Sequence, residues 1–222
     1  MRRGLISACL VLGLAVACGN SVAGGDPLPP MPPILPGESW APPATGEGYP
    51  DRLAVGETAP DFQLAAMSGD GQVSLASLEA GRPVVLIFGS YSCPVFRGQI
   101  AQLNRDYEQY KNRADFYLIY IREAHPGSKL YREKDGQRVL EVIDQTDTLA
   151  ARQQLARDTV ETFQLTLPTW VDGVGNQANR EYAGWPVRFV AIGADGKLAY
   201  KGRLGPYGFW PSELEAWLQT SL

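Results

Sequence analysis

The chain has 222 residues, 45% of them hydrophobic and 20% charged, a composition that suits a folded protein with a core and excludes wholesale disorder. Three cysteines are too few for a disulfide scaffold. Twenty Lys and Arg against 24 Asp and Glu give a formal charge of −4 with no basic run, so no nucleic-acid partner is expected.

The chain begins with a short basic stretch, Met1-Arg2-Arg3, followed by an apolar run from Leu5 to Ala17. That run is too short to span a bilayer and has the length of a secretory signal's apolar region. The sequence Leu14-Ala15-Val16-Ala17-Cys18-Gly19 resembles a bacterial lipobox, although Ala15 stands where the pattern usually has Leu. The resemblance implies cleavage before Cys18, lipidation of Cys18, and a protein exported and lipid-anchored on the periplasmic or outer side of a bacterial membrane. An ordinary signal peptide cut nearby is the alternative. Removing residues 1–17 leaves 18 Lys and Arg against 24 Asp and Glu, a charge of −6. With Cys9 removed and Cys18 lipidated, Cys93 is the one thiol left in the folded part. An exported protein with a single thiol cannot place it in an internal disulfide.

Residues 26–50 hold nine of the 17 prolines and almost no apolar periodicity. Pro29-Pro30, Pro32-Pro33 and Pro42-Pro43 favour extended polyproline geometry. Residues 18–50 are therefore read as a semi-rigid tether, with Trp40 and Tyr49 able to dock back, and residues 51–222 as a single domain.

Within the domain, Asp61–Ala65 and Gln72–Leu75 flank a Gly69-Asp70-Gly71 turn and form a β extension. Val84 to Phe88 is a continuous apolar run, as a buried parallel strand requires. From Pro94 the pattern turns helical, with Phe96, Ile100, Leu103, Tyr107 and Tyr110 on one face. Phe116 to Ile121 is a second buried strand, and the β-α-β crossover implies a parallel pair. Thr146 to Phe163 reads as a helix, Leu167 to Val171 as a strand, and Asn176 to Ala183 as a short helix. Val187 to Ile192 and Leu198 to Lys201 form a hairpin about Asp195-Gly196, and Pro211 opens a last helix. This α/β order, a central mixed sheet flanked by helices, is that of the thioredoxin fold.

Cys93 lies where the first long strand hands over to its helix, at the edge of the sheet where α/β ligand sites lie. Unpaired N–H groups and the helix dipole favour thiolate there, so a thiol pKa below the free value of about 8.5 is expected. A dithiol motif would need a second Cys at position 96, which is Phe96. Any oxidised intermediate must then be resolved by an external thiol. Ser90 and Ser92 flank Cys93 and could donate to it, or serve the turn and the helix cap. His125, the chain's single histidine, follows the second strand and is expected to approach Cys93 as a proton carrier. Glu123 could fix the tautomer of His125, or be a solvated loop charge. One His and one Cys do not make a zinc site. Pro186, before the fourth core strand, is expected to be cis and to face Cys93, as thioredoxin folds arrange it. Arg188 could lower the thiol pKa or bind an anionic substrate, or be an edge-strand charge.

The domain resembles the iodothyronine deiodinases. The similarity is carried by Val84 to Phe96, by Ala114 to Pro126 with its Glu123-Ala124-His125, and by Tyr200-Lys201-Gly202-Arg203-Leu204-Gly205-Pro206, within Pro83 to Leu222. The resemblance implies a thioredoxin fold, a nucleophile at Cys93, and a proton relay that includes Ser90, Glu123 and His125. It implies reductive dehalogenation of an iodothyronine-like aromatic with regeneration by an external thiol and no cofactor. Some members dimerise, so a homodimer is possible by the same resemblance. The chain departs from the family in having Cys93 where animal enzymes have selenocysteine, and in Tyr91 where some members have an assisting Cys. It departs again in Gly127-Ser128-Lys129-Leu130, where the family has Asp-Gly-Trp. A one-Cys peroxidase resembling peroxiredoxins, taking a peroxide with help from Ser90 and Arg188, is the first alternative, although Leu86 stands where its motif has Pro. A non-enzymatic thioredoxin-fold binding module is the second.

Overall fold

The computed structural model describes residues 28–46, 48–78, 81–134 and 136–222. The expected signal sequence, Cys18 and the first part of the expected tether lie outside them. Along the chain the elements are β1 (Gln63–Ala66), β2 (Gln72–Ser74), α1 (Leu75–Leu78), β3 (Val84–Gly89), α2 (Pro94–Tyr110) and β4 (Asp115–Tyr120). They continue with β5 (Ser128–Lys134), β6 (Gln137–Ile143), α3 (Leu149–Phe163), β7 (Thr169–Asp172), α4 (Gln177–Tyr182), β8 (Arg188–Ile192), β9 (Leu198–Lys201) and α5 (Pro211–Ser221).

Seven strands form one sheet in the order β2-β1-β7-β4-β3-β8-β9. The central strand β3 runs parallel to β4 in the register Val85 to Phe116, and β4 runs parallel to β7. β8 is antiparallel to β3, with Phe88 opposite Arg188, and the β extension closes the other edge by pairing β1 antiparallel to β7. Every residue of β3 is buried, because helices cover both faces of the sheet. Val85 and Ile87 point into a core shared with Phe96, Ile100 and Leu103 of α2 and Leu214 and Leu218 of α5. Val84, Leu86 and Phe88 point the other way, towards Tyr182 of α4 and Leu75 of α1. Successive side chains of a strand alternate between faces, so this division fixes which residues can reach the site.

The sequence did not show one element pair. β5 and β6 form a two-stranded hairpin, paired from Ser128 opposite Ile143 to Lys134 opposite Gln137. Leu130 and Ile143 are buried from it against Tyr91, Tyr120 and Leu155.

The described part of the segment read as a semi-rigid tether, residues 28–46 and 48–50, docks on the domain. Ser39 bridges to Lys129 of β5, the Ala44 N–H donates to the Ala124 carbonyl at 2.9 Å, and Gln99 of α2 donates to the Pro30 carbonyl at 3.0 Å. Gly98 permits the contact with Pro30: a Cβ there would lie 2.1 Å from the Pro30 oxygen. The segment is extended, as its prolines require, but its backbone groups find partners on the domain and it lies along α2 and β5 as a strap.

Candidate functional site

The site is assembled at the end of β3. Gly89 ends that strand, and its missing Cβ matters because one would sit 2.7 Å from the Phe96 ring. Phe96 therefore folds back under the turn and fills the position where a dithiol motif would carry its second sulfur. The turn Ser90-Tyr91-Ser92 is closed by the Cys93 N–H donating to the Ser90 carbonyl at 3.2 Å. Cys93 is the N-cap residue of α2, with Pro94 in the first helical turn.

The loop after β4 is tied to this turn by backbone-to-side-chain bonds. The Ala124 N–H donates to Ser90 Oγ at 3.2 Å, and the His125 N–H donates to Ser92 Oγ at 2.9 Å. The Ser92 N–H donates to Glu123 Oε2 at 2.7 Å, and the Tyr120 phenol donates to Glu123 Oε1. Glu123 is fully enclosed, and burial pushes its pKa up against these hydrogen bonds, which pull it down. Its carboxylate holds Ser92 and Tyr120, and the expected role of fixing the His125 ring falls elsewhere. His125 Nδ1 lies 2.8 Å from the carbonyl oxygen of Ala41, on the strap. Trp40 stands edge-on to the His125 ring at 6.0 Å between centroids.

Cys93 and His125 line one cavity of about 440 Å³. Its other walls are Trp185, Pro186, Leu204 and Pro206, with Leu28, Met31 and Pro43 from the strap. The Trp185–Pro186 bond is cis and Pro186 faces the cavity with Cys93, as expected. The cavity is apolar, so it suits a ring system of an aromatic compound rather than an ion.

Two expectations are corrected. The first is the thiol's pKa. Cys93 is only 2% exposed, and burial pushes it up to about 12, although the N–H groups of Val95 and Phe96 pull it down. Desolvation of the charged form outweighs the helix terminus here, so the thiol is neutral at rest. The second is Arg188. It follows Pro186 in sequence, but the alternation of β8 turns it to the opposite face of the sheet from Val187 and Phe189. There its Nη2 pairs with Asp51 Oδ2 at 2.8 Å and its Nη1 donates to the Tyr182 carbonyl at 3.2 Å. It is absent from the cavity wall among the described residues, so the geometry places it on Asp51 rather than beside Cys93, and the peroxidase reading loses the support it drew from it.

A different arginine stands near the thiol, and the sequence reading missed it. Arg97, one turn along α2, lowers the Cys93 pKa by its charge. Its guanidinium carbon lies 5.0 Å from the Trp40 ring centroid, 5.7 Å from Tyr91 and 4.9 Å from Phe163, and its Nη2 is 3.6 Å from Glu38. Its Nε and Nη1 are buried without hydrogen-bond acceptors among the described residues and lie by those aromatic rings. The only sequence signal was the four-residue spacing from Cys93, which places both on one side of the helix.

Comparison with known proteins agrees with this geometry. A family model described as iodothyronine deiodinase matches residues 47–221. The type I iodothyronine deiodinase of Xenopus laevis is 30% identical over 164 residues, 74% of this chain and 62% of that protein. The human type II enzyme is 32% identical over 182 residues, 80% of this chain and 60% of that protein. The chain thus spans about three fifths of the length of these relatives. Among solved structures, a conserved protein of Geobacillus kaustophilus superimposes with a TM-score of 0.56 at 18% identity, over 76% of this chain and 82% of that one. The thioredoxin domain of a Bacteroides vulgatus thiol-disulfide oxidoreductase gives 0.50 at 15% identity, over 75% and 99%. These structural likenesses establish the thioredoxin fold.

Proposed function

Because the chain belongs to the iodothyronine deiodinase family, we propose that it is a thiol-dependent oxidoreductase that removes iodine reductively from an aromatic compound. The observation that carries this reading is the shared apolar cavity, in which one sulfur and one imidazole face the same space. The aromatic ring enters between Pro186 and the strap. His125 takes the Cys93 proton as the sulfur attacks iodine. The C–I electron pair stays on carbon, the S–I bond forms, and the imidazolium returns the proton to the ring carbon. Carbon is reduced and sulfur is oxidised to a sulfenyl iodide. A first external thiol displaces iodide, giving a mixed disulfide and a proton. A second thiol releases Cys93–SH and leaves as the external disulfide. The net change is an aryl iodide and two thiols giving an arene, hydrogen iodide and a disulfide. Phe96 supports the need for the external donor, because it occupies the place of a resolving thiol.

A neutral resting thiol fits this scheme better than a preformed thiolate. The proton that must reach carbon is already in the site, and His125 transfers it. Sulfur is a poorer iodine acceptor than selenium, so turnover slower than that of selenocysteine relatives is expected. The test is iodide release from iodotyrosine and thyroxine with dithiothreitol. Cys93→Ser should abolish it, and His125→Ala should slow it by about 10²–10⁴-fold, the usual contribution of a general acid or base. Failure of every iodoaromatic to yield iodide refutes the proposal.

We also propose that Cys18 carries a lipid that holds the domain to a bacterial membrane. The ten residue steps from Cys18 to the docked strap at Leu28 reach at most about 35 Å when fully extended, so the cavity would work close to the surface. Cys18→Ala should move the protein from the membrane fraction to the soluble fraction, and an unchanged distribution would refute the anchor.

A further inference from the structure

The strap's contacts converge on one residue of the site. Glu38, whose side chain is fully buried, accepts from the Tyr131 N–H at 3.0 Å and from the Leu35 N–H at 2.9 Å. It also stands 3.6 Å from the Arg97 guanidinium. One residue on, Ser39 exchanges both backbone bonds with Lys129, at 2.9 and 2.8 Å. Trp40 then lies against both Arg97 and His125. Ala41 is held from two sides. Its N–H donates to Ser128 Oγ at 2.9 Å, and Ser128 Oγ donates to the His125 carbonyl at 2.7 Å. The Ala41 carbonyl is thereby set against His125 Nδ1 at 2.8 Å.

A carbonyl oxygen can only accept, so Nδ1 carries the proton and the neutral ring keeps its lone pair on Nε2. A neutral imidazole free in water favours the opposite tautomer, with the proton on Nε2. The contact with Ala41 therefore inverts the intrinsic preference of the ring.

We propose that the strap is a working part of the active site and that Glu38 is a positioning residue. By seating the strap on β5 and α2, Glu38 places the Ala41 carbonyl on His125 Nδ1 and makes Nε2 the nitrogen that takes the Cys93 proton. The proton-transfer role rests on the function proposed above, whereas the tautomer rests on the geometry alone. The arrangement gives a backbone carbonyl the task that a carboxylate performs for many catalytic histidines. It leaves Glu123 to hold the Ser92 turn.

The chain's single histidine makes the test direct. Tag-free full chain labelled with ¹⁵N-histidine gives one pair of ring nitrogen resonances, recorded on the alkaline plateau where their shifts no longer change with pH. In the wild type, Nδ1 should show the shift of a protonated nitrogen and Nε2 that of a bare one. Glu38→Ala should move the pair towards the solution tautomer, with Nε2 protonated, while circular dichroism stays native. Glu38→Gln keeps an acceptor for the Leu35 and Tyr131 N–H groups and should fall between. A wild-type ring protonated on Nε2 overturns the proposal whether or not the variants fold. A folded Glu38→Ala chain that keeps Nδ1–H overturns the role of Glu38. If no iodoaromatic is turned over, the dehalogenase reading fails while the tautomer result stands by itself.

Discussion

Gly98→Ala separates the strap from the core by a change at a position outside the cavity wall. The new Cβ would lie 2.1 Å from the Pro30 oxygen, 2.9 Å from its carbonyl carbon and 3.0 Å from Met31 Cα, all backbone atoms that cannot rotate away. Ordinary contact begins at 3.4 Å, so the Pro30 carbonyl must retreat by about 1.3 Å. Such overpacking costs about 1–3 kcal/mol. It is paid only while the strap is docked, and corresponds to an increase in the undocked population of about 5–150-fold. The hydrogen bond from Gln99 to Pro30 is lost on undocking, at about 0.5–1.5 kcal/mol. Alanine gains about 0.8–1.0 kcal/mol over glycine inside α2 in either state. Set against the overpacking, this gain leaves a net cost of at most about 2 kcal/mol, and the melting temperature should fall by no more than about 8 °C. Alkylation of Cys93 by iodoacetamide, mapped by mass spectrometry, should accelerate by at least about fivefold, because Leu28 and Met31 leave the cavity wall. A fall of more than 10 °C, about 3 kcal/mol or more, with unchanged alkylation would refute the reasoning, since the strap would then be an inseparable part of the core. No change in either quantity would refute the close approach itself.

Two further outcomes test the electrostatics. With its thiol pushed up to about 12, Cys93 should alkylate about tenfold faster for each pH unit and show no plateau up to pH 10; an inflection at or below about 8.5 would restore the thiolate expected from the helix terminus. The folded chain holds this proton more firmly than the unfolded one, so the thiol's contribution to stability is present below pH 9 and declines as pH rises from there towards 12. Urea titrations at pH 8 and 10 should show the decline. Asp51→Ala removes a partner of Arg188 and of Lys201; it should cost about 1–2 kcal/mol, the lower part of the range for stranding a buried charged donor, because Asp51 is itself partly exposed. Iodide kinetics should be unchanged, and a fall in turnover of more than about threefold, roughly 0.7 kcal/mol, would return Arg188 to the site.

The strands and helices that carry Cys93 and His125 were readable because each announces itself locally. Val84 to Phe88 is apolar without interruption, Pro94 opens a helix with one apolar face, and Asp195-Gly196 marks a turn. The β5–β6 hairpin carried a similar signal at Gly136, whose φ of +71° turns the chain. Its strands were overlooked because their outward residues, Lys129, Arg138 and Gln137, are polar and exposed and blur the alternation. Arg188 was misplaced for a different reason. Nearness to Pro186 in sequence suggested nearness in space, yet Arg188 lies on the face opposite its neighbours Val187 and Phe189, where Asp51 and the Tyr182 carbonyl hold it. The strap was legible only as the ability of Trp40 and Tyr49 to dock back, and its backbone partners were not. Ala41 and His125 are 84 residues apart, and Glu38 and Tyr131 are 93 apart. A backbone carbonyl leaves no residue type to recognise, and a proline-rich stretch reads the same whether it is free or docked.

The thiol's burial decides how the site must work. A sulfur at a helix N-terminus in water would ionise readily, and its thiolate would be a weak nucleophile because it holds charge comfortably. Here burial outweighs the helix terminus, so a thiolate forms only when a base in the same cavity takes its proton, and it is then more reactive for being poorly solvated. In the proposed mechanism that base is His125, which must present a bare nitrogen to the cavity, and the Ala41 carbonyl would supply this condition by holding the proton of the ring nitrogen 2.8 Å away. The nucleophile and its activation thus depend on two segments far apart in sequence. Displacing the strap should slow catalysis even as it opens Cys93 to alkylating agents. Gly98→Ala should therefore raise the alkylation rate and lower the rate of iodide release in one protein. If the two rates rose together, the strap would be acting only as a lid, and the coupling between the Ala41 carbonyl and proton transfer would be wrong.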